Sequence, residues 1–477
     1  MFWLCLDFPR LPIELFLQAG TPPDPLVVSS GGNRPSVVAC DARAQAAGIR
    51  PGMWLSAAYA LAPQIDTRVR DPAREHAALE AAALWALQFT SHVSIVSPGS
   101  LLLEIGGSFR LFGGLERLRD CVRDAAAELG HDVTLAATPT PLGAQWLACA
   151  GFDMLVHDRG TLRDHLGRLP IEALELRPDA AASLDRLGVR TLGELLALPR
   201  DGLARRFGQT LLDLLDRALG RLPDPRPPLI PPERFRVGLA LPSPVAEVEA
   251  LLFAAHRLVL QLCGFLSGRN AGVTRLRLAL IDENRRTTEV NISLSIPSRD
   301  PKHLIALLRE RLTLTLLPAR IESIVLEAPE VAQLAPRNFS FFPDHEQSRE
   351  EKAVLVEKLR ARLGEDAVHG LALYPDARPE LAWREAEPGA KPGNAPPLPR
   401  PAWLLARPRA LQSHDGLPCL DGPLALLDGP ERIESGWWDD NDAMRDYFVA
   451  RNPHGATFWV YRERTPQGNW FLHGIFA

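Results

Sequence analysis

The chain has 477 residues, a formal net charge of −5, 46% hydrophobic residues and 23% charged residues. That length predicts two to four domains with ample buried core, and the acidic balance excludes a protein that binds nucleic acid by bulk charge, so any such contact must come from local basic surfaces. The six cysteines form no Cys-x-x-Cys pair, which excludes a zinc ribbon or disulfide framework and predicts buried reduced thiols; with no apolar leader and no run of roughly eighteen apolar residues, the chain reads as cytoplasmic.

Residues 1–6 form an apolar run that ends in Asp7-Phe8, predicting a first strand with an acid at its end. Short β-branched segments around Val27-Val28 and Val37-Val38 follow, then helical spacing over 75–89 and 115–129 with a strand at 133–137. Residues 1–165 therefore predict a mixed α/β unit with a small insertion. Residues 166–222 change character, because 184–200 read as helix, glycine turn, helix. The proline-rich stretch 223–232 predicts a stiff, extended linker.

Within 233–331 the patterns give strand (235–241), helix (245–266), two strands (273–281 and 287–296), helix (302–312) and strand (321–327), a βαββαβ order. Thr274-Arg275-Leu276-Arg277-Leu278 alternates, so Arg275 and Arg277 share one face of that sheet while the other face packs on helices. Residues 332–385 carry the short apolar segment Asn338-Phe339-Ser340-Phe341-Phe342 and a helix over 346–363, and 386–401 read as a second linker. Residues 402–477 hold five of the ten tryptophans and predict a small β module, with a hairpin around Pro466-Gln467-Gly468. Trp437-Trp438 is expected on a strand, where neighbouring side chains face opposite ways and one ring stays outside for an interface. The fold class expected is α+β and multidomain.

Candidate chemistry is sparse. His92, His131, His157 and His165 are too spread for a metal box, no Gly-x-x-x-x-Gly-Lys loop occurs, and no cofactor motif is found. His473 with Asp446 reads as a hydrogen-bonded structural histidine rather than an acid/base pair. Lysine is absent until Lys302.

Three ordered segments carry a resemblance. Val37-Val38-Ala39-Cys40-Asp41-Ala42-Arg43 with Gly48-Ile49-Arg50-Pro51-Gly52-Met53 is similar to the fingers of Y-family translesion DNA polymerases, and Ser97-Pro98-Gly99-Ser100-Leu101-Leu102-Leu103-Glu104 resembles their second carboxylate motif. The phrase Ile105-Gly106-Gly107-Ser108-Phe109-Arg110-Leu111-Phe112, and the C-terminal Gly436-Trp437-Trp438-Asp439 and Trp470-Phe471-Leu472-His473-Gly474, resemble the polymerase-like subunits of bacterial damage-induced mutagenesis cassettes. The resemblance implies a palm and fingers (1–165), a helix-hairpin-helix thumb (166–222), a little finger (233–331), a clamp-peptide extension (332–385) and a C-terminal partner-binding module (402–477).

The same resemblance places two metal-binding acids at Gly99 and Ser100, and a further acid at Pro9, leaving Asp7 as a vestige. Mg²⁺ needs hard anionic oxygens, so the catalytic residue set is empty and the chain is expected to be a pseudo-polymerase. The alternative is an active translesion polymerase with a reduced site built from Asp7 and Glu104; a second alternative is an interaction protein whose palm no longer meets DNA. Arg43 is implied as a nucleotide-binding remnant, with Cys40 in place of its tyrosine partner. Arg205, Arg206, Arg275 and Arg277 are implied to meet DNA phosphates; Asn338, Phe339, Phe341 and Phe342 to dock on a sliding clamp; and Trp437 and Trp438 to bind a partner. Implied partners are primed or damaged DNA, the clamp, a RecA-like subunit and an error-prone C-family polymerase, without a membrane.

Overall fold

The computed structural model describes residues 1–17, 24–96, 98–174, 176–317, 319–334, 345–390, 400–439 and 441–476. They form two compact units, Met1–Arg362 and Leu363–Ala477. The architecture is α+β and multidomain, as the sequence predicts.

The first unit begins with β1 (Trp3–Asp7), a buried apolar strand, and α1 (Leu11–Leu17). β2 (Leu26–Ser29), β3 (Val37–Cys40), α2 (Ala42–Ala46), α3 (Leu55–Leu61) and β4 (Asp66–Val69) then form a small three-stranded insertion of order β3-β2-β4. Gly48 and Gly52, with φ of 92° and 86°, turn its chain where a side chain would be strained. α4 (Pro72–Ala86) is capped by Asp71, which accepts from the Ala73 and Arg74 amides, with Pro72 in its first turn. β5 (Val93–Val96), β6 (Ser100–Glu104), α5 (Phe109–Phe112), α6 (Leu115–Glu128), β7 (Thr134–Thr138), α7 (Pro141–Cys149) and β8 (Met154–Leu155) complete a sheet of order β5-β6-β1-β7-β8.

Alternation divides this sheet. Leu4, Leu6, Leu101, Leu103 and Leu135 pack in the core that includes α4 and α6, whereas Trp3, Cys5, Leu102 and Ala136 pack with α7 and a following group of helices. Those helices are α8 (Arg159–Gly167), α9 (Pro178–Arg186), α10 (Leu192–Ala197), α11 (Arg200–Phe207) and α12 (Gln209–Ala218). Gly188, at φ 75°, makes the expected turn between α9 and α10, and α10 opens with a capping box of Thr191 and Glu194.

The linker runs along the sheet: Leu229 N donates to the Val93 carbonyl at 2.6 Å, and His92 Nε2 lies 3.0 Å from the Arg226 carbonyl. Next come β9 (Phe235–Val245), α13 (Val248–Gly268), β10 (Ala271–Asp282), β11 (Thr287–Ser298), α14 (Pro301–Leu314) and β12 (Ile321–Gln333), the βαββαβ order read from sequence, in a sheet of order β11-β10-β12-β9. α13 is long and apolar enough to span a membrane, but its side chains fill the core: Leu251, Leu258, Leu262 and Phe265 are all buried there.

The sequence separates the two sheets by a linker, yet they share one core. A Cβ on Gly264 would come 2.5 Å from the Trp85 carbonyl oxygen, and one on Gly268 would come 2.7 Å from Leu87 Cβ. Only glycine lets α13 cross the end of α4 so closely. Last in this unit is α15 (His345–Leu363), whose Glu357 carboxylate accepts from Ser295 N at 2.6 Å and meets His303 Nε2 at 2.7 Å.

The second unit holds a two-stranded sheet of β13 (Gly370–Leu373) and β14 (Trp383–Ala386), and a six-stranded antiparallel sheet. The latter comprises β15 (Trp403–His414), β16 (Leu417–Cys419), β17 (Ala425–Ser435), β18 (Ala443–Arg451), β19 (Thr457–Glu463) and β20 (Trp470–Ile475), in the order β16-β15-β20-β19-β18-β17. The hairpin around Pro466–Gly468 joins β19 to β20. Tyr447 stacks on Trp459 at 4.1 Å, and its hydroxyl lies 2.7 Å from Nδ1 of buried His473, so the structural reading of that histidine holds.

Candidate functional site

β1 and β6 are antiparallel and in register, with Asp7 opposite Ser100 and Trp3 opposite Glu104. The two motifs that the sequence aligned thus meet at one end of the strand pair. Ser100 Oγ donates to Asp7 Oδ1 at 2.8 Å, Cys149 Sγ from the end of α7 donates to the same oxygen at 3.6 Å, and Phe8 N donates to the Gly99 carbonyl at 2.9 Å. Burial raises the Asp7 carboxyl above its ordinary range, with the Ser100 and Cys149 hydrogen bonds pulling back less strongly.

The donor set does not fit paired Mg²⁺. Asp7 is one carboxylate among a hydroxyl, a thiol and a glycine, and no cluster of three potential metal ligands occurs among the described residues. The reduced site of Asp7 and Glu104 fails on geometry. These residues lie four positions apart along the paired strands, ~13 Å at the usual rise. Glu104 Oε1 is committed elsewhere, accepting from Phe2 N at 3.0 Å and Gly106 N at 3.2 Å. Among the described residues this strand end therefore offers no ligand set for a pair of Mg²⁺ ions.

Ser100 and Cys149 have roles that the sequence did not announce. Ser100 appeared there only as a lost acid, and Cys149 only as an expected buried thiol. Cys5, Cys40 and Cys263 are buried as expected, but Cys121 and Cys149, on α6 and at the end of α7, are exposed and Cys419 is intermediate.

In the insertion, Arg43 folds back on its own helix start: Nη2 donates to the Asp24 carbonyl at 2.9 Å and to Asp41 Oδ2 at 3.2 Å, while Asp41 caps α2 through Ala44 N. Cys40 Sγ points inward to the Ile49 carbonyl at 3.7 Å. On α11, Arg205 and Arg206 are exposed, with Arg206 Nη2 donating to Ser183 Oγ at 2.9 Å.

Arg275 and Arg277 do share one sheet face, but not as free cations. Arg275 Nη1 lies 3.0 Å from Glu330, and Arg277 pairs with Glu289 at 3.2 Å and with Glu327, which Arg236 also meets at 3.2 Å. The sequence showed the arginines; strand register supplies the glutamates. Asn338, Phe339, Phe341 and Phe342 lie outside the described residues.

Trp437 and Trp438 correct the sequence reading. They sit in a turn after β17, not on a strand, and both rings project into solvent, at 80% and 59% exposure. Gly436, at φ 93°, starts the turn, where a Cβ would lie 2.2 Å from the Asn441 carbonyl oxygen. Beneath it lies Arg378, only 2% exposed. Its guanidinium donates to Asp376 at 2.8 Å, to Asp439 at 2.7 and 2.9 Å and to the Asn441 carbonyl at 3.0 Å, and sits 5.6 Å from the Trp438 ring. These bonds hold both carboxyls below the usual range. Asp439 belongs to the Gly-Trp-Trp-Asp phrase noted in sequence; Arg378, about sixty positions upstream, carried no local signal.

The described strand end thus holds one acid, Asp7, hydrogen-bonded by Ser100 and Cys149, within an α+β chain of two units. Residues 17–148 match the impB/mucB/samB family. The chain belongs to the ImuB family: Protein ImuB of Caulobacter vibrioides, in each of two strains, is 30% identical over 460 residues, covering 90% of this chain and 100% of the relative. Among solved structures, a Y-family DNA polymerase chimera of Dbh and Dpo4 is 18% identical, with a TM-score of 0.39 over 70% of this chain and 100% of that chain. DinB from Sulfolobus solfataricus is also 18% identical, with a TM-score of 0.37 over 69% of this chain and 98% of its own.

Proposed function

We propose that this chain is a scaffold for damage-induced translesion synthesis, holding a sliding clamp, RecA-like ImuA and an error-prone C-family DNA polymerase together on primed or damaged DNA in the cytoplasm. The observation that supports this reading is the Asp7–Ser100 pair: paired strands bring the two motif segments together, with a hydroxyl where the resemblance expects an acid. A fold retained without its chemistry is suited to positioning. Several weak contacts on one chain raise a polymerase's effective concentration at a stalled primer without new chemistry.

The proposed contacts are distributed. Arg205 and Arg206 offer exposed charge, and Arg275 and Arg277 bind phosphate by exchanging it for Glu330, Glu289 and Glu327. Asn338, Phe339, Phe341 and Phe342 supply a polar head and apolar anchors for the clamp groove. Trp437 and Trp438 offer two rigid aromatic rings to the polymerase or to ImuA.

Reconstituted primer extension tests the reading. The chain alone should incorporate nothing with Mg²⁺ or Mn²⁺, and with clamp and C-family polymerase it should stimulate synthesis past a lesion. Deleting residues 402–477 should remove that stimulation and spare clamp binding, whereas Phe341→Ala with Phe342→Ala should remove clamp binding and spare capture of the polymerase or ImuA. Incorporation by the chain alone that Asp7→Ala abolishes would sink the scaffold reading.

A further inference from the structure

A cleft of about 630 Å³ opens between the two sheets of the first unit. Its floor is one face of α4, made of Ala77, Ala78, Ala81 and Leu84, and its wall is the run Arg236–Ala240 of β9. Successive strand residues point to opposite faces, so five in a row along a cavity mean that the strand presents its edge. β9 is the terminal strand of its sheet and pairs only with β12 among the described residues, leaving a row of backbone donors and acceptors turned outward. The prolines that blunt β9, Pro242 and Pro244, lie beyond this stretch.

The cleft also holds buried polar groups in want of partners. Arg257 of α13 is 8% exposed, borders the cleft, and hydrogen-bonds to no described residue; burial pulls its guanidinium down to about 10, with the charge of Glu14 opposing that less strongly. Glu14 is already engaged, at 2.7 Å from His131 Nδ1 and accepting from Asp132 N at 2.9 Å. Gln261 Oε1, one turn along α13, is buried without a hydrogen-bond partner. Leaving such groups unsatisfied is costly, so an unpartnered guanidinium beside an open strand edge marks a place for a ligand. Arg74 adds positive charge beside the cleft, and Arg236, paired with Glu327 at 3.2 Å, also borders it; Glu80 is the one acid bordering the cleft among the described residues.

We propose that this cleft docks an acidic, extended segment of a partner protein, which adds to β9 as a fifth strand and places a carboxylate on Arg257. The strand edge selects peptide over nucleic acid, because a sugar-phosphate chain cannot continue a β-ladder. The alanine floor admits alternate small apolar side chains, and the guanidinium selects acid over base. The site shares no lining residue with the Asp7 end of β1, and it does not depend on the scaffold reading.

The test uses the full chain and a short fluorescein-labelled peptide of alternating valine and aspartate, read by anisotropy, with hydrogen exchange of residues 236–240 followed in parallel. The peptide should bind and protect those amides. Affinity should fall roughly thirtyfold or more in Arg257→Gln, the lower range for removing one member of a buried charged pair. A backbone N-methylated peptide and a lysine-for-aspartate peptide should both bind far more weakly. If Arg257→Gln does not fold, Arg257→Met and the wild-type exchange data carry the decision. The proposal is overturned by absence of binding, by equal binding of either control peptide, or by unchanged affinity in a folded Arg257 variant. Displacement of the peptide by duplex DNA, or a dimer whose β9 amides are protected without peptide, overturns it in favour of phosphate or a second copy.

Discussion

At the end of β1, Asp7 stands where the family resemblance expects a group of acids, and its neighbours are not acids: a serine hydroxyl and a cysteine thiol donate to it, and burial favours its neutral form. In the turn after β17 the arrangement is reversed. A buried arginine holds two ionised aspartates, and the product of that network is a pair of tryptophan rings in solvent. Charge is quenched where catalysis would need it, and concentrated where an exposed aromatic surface needs rigid support. A surface maintained by a buried ion-pair network is a better mark of present function than a motif recognised by its spacing, because the network costs desolvation and the spacing does not.

Breaking the network beneath the tryptophans should have the largest effect. Arg378→Met leaves Asp376 and Asp439 facing each other without a cation, and Gly436→Ala forces a Cβ against the Asn441 carbonyl. Either change should lower the melting temperature of the second unit by several degrees and abolish partner capture; a variant that melts like the wild type would show that the turn does not depend on this anchor. Replacing the rings themselves sharpens the comparison. Trp437→Ala and Trp438→Ala should each weaken partner binding by about 2 kcal/mol or more, as hot-spot aromatics do, with stability held within about 0.5 kcal/mol because both are exposed. Pull-down affinity beside a melting curve separates this from the one-in, one-out arrangement expected of a strand: destabilisation by either alanine would restore it.

Acid gives a smaller, graded effect. Asp376 and Asp439 have folded-state values below the unfolded value of about 3.9, so their contribution is complete above that pH and is lost as pH falls through the folded values. Tryptophan emission of the intact chain should therefore hold steady down to roughly pH 4 and change below it. In Arg378→Met this acid transition should be absent or moved upward.

The contrast also explains what could be read from the residues alone. The order of elements over 235–333 was legible because each strand and helix carries its own period, whereas Asp7 and Ser100 were linked only by the family resemblance, and their hydrogen bond follows from the register of β1 with β6. The glutamates opposite Arg275 and Arg277 were not legible, since cross-strand partners follow from pairing over fifty residues and not from local pattern. Nor was the core shared by the two sheets, for which Gly264 and Gly268 look like ordinary small residues of an apolar helix until α4 is laid across them. Trp437-Trp438 failed for the opposite reason. The apolar pair favoured a strand, and the left-handed Gly436 that ends β17 weighed too little beside it.

Asp7 supplies the smallest and sharpest test. Its folded-state value is raised, so the folded chain holds the proton more tightly than the unfolded chain does, and stability falls as pH rises from the unfolded value of about 3.9 through the folded one. Above that window the carboxylate is a half-buried charge with a hydroxyl and a thiol for company; below it the neutral acid costs nothing extra. Asp7→Asn keeps an acceptor for Ser100 Oγ and removes the charge, so the variant should melt slightly above the wild type at neutral pH, and the difference should vanish below about pH 4. A residue retained for metal would behave otherwise: its loss would show in synthesis, and its carboxylate would gain stability from added Mg²⁺. The decisive measurement is the difference in melting temperature between Asp7→Asn and wild type across pH, with and without Mg²⁺. A wild type that Mg²⁺ stabilises while leaving Asp7→Asn unmoved would return this strand end to the metal-binding class.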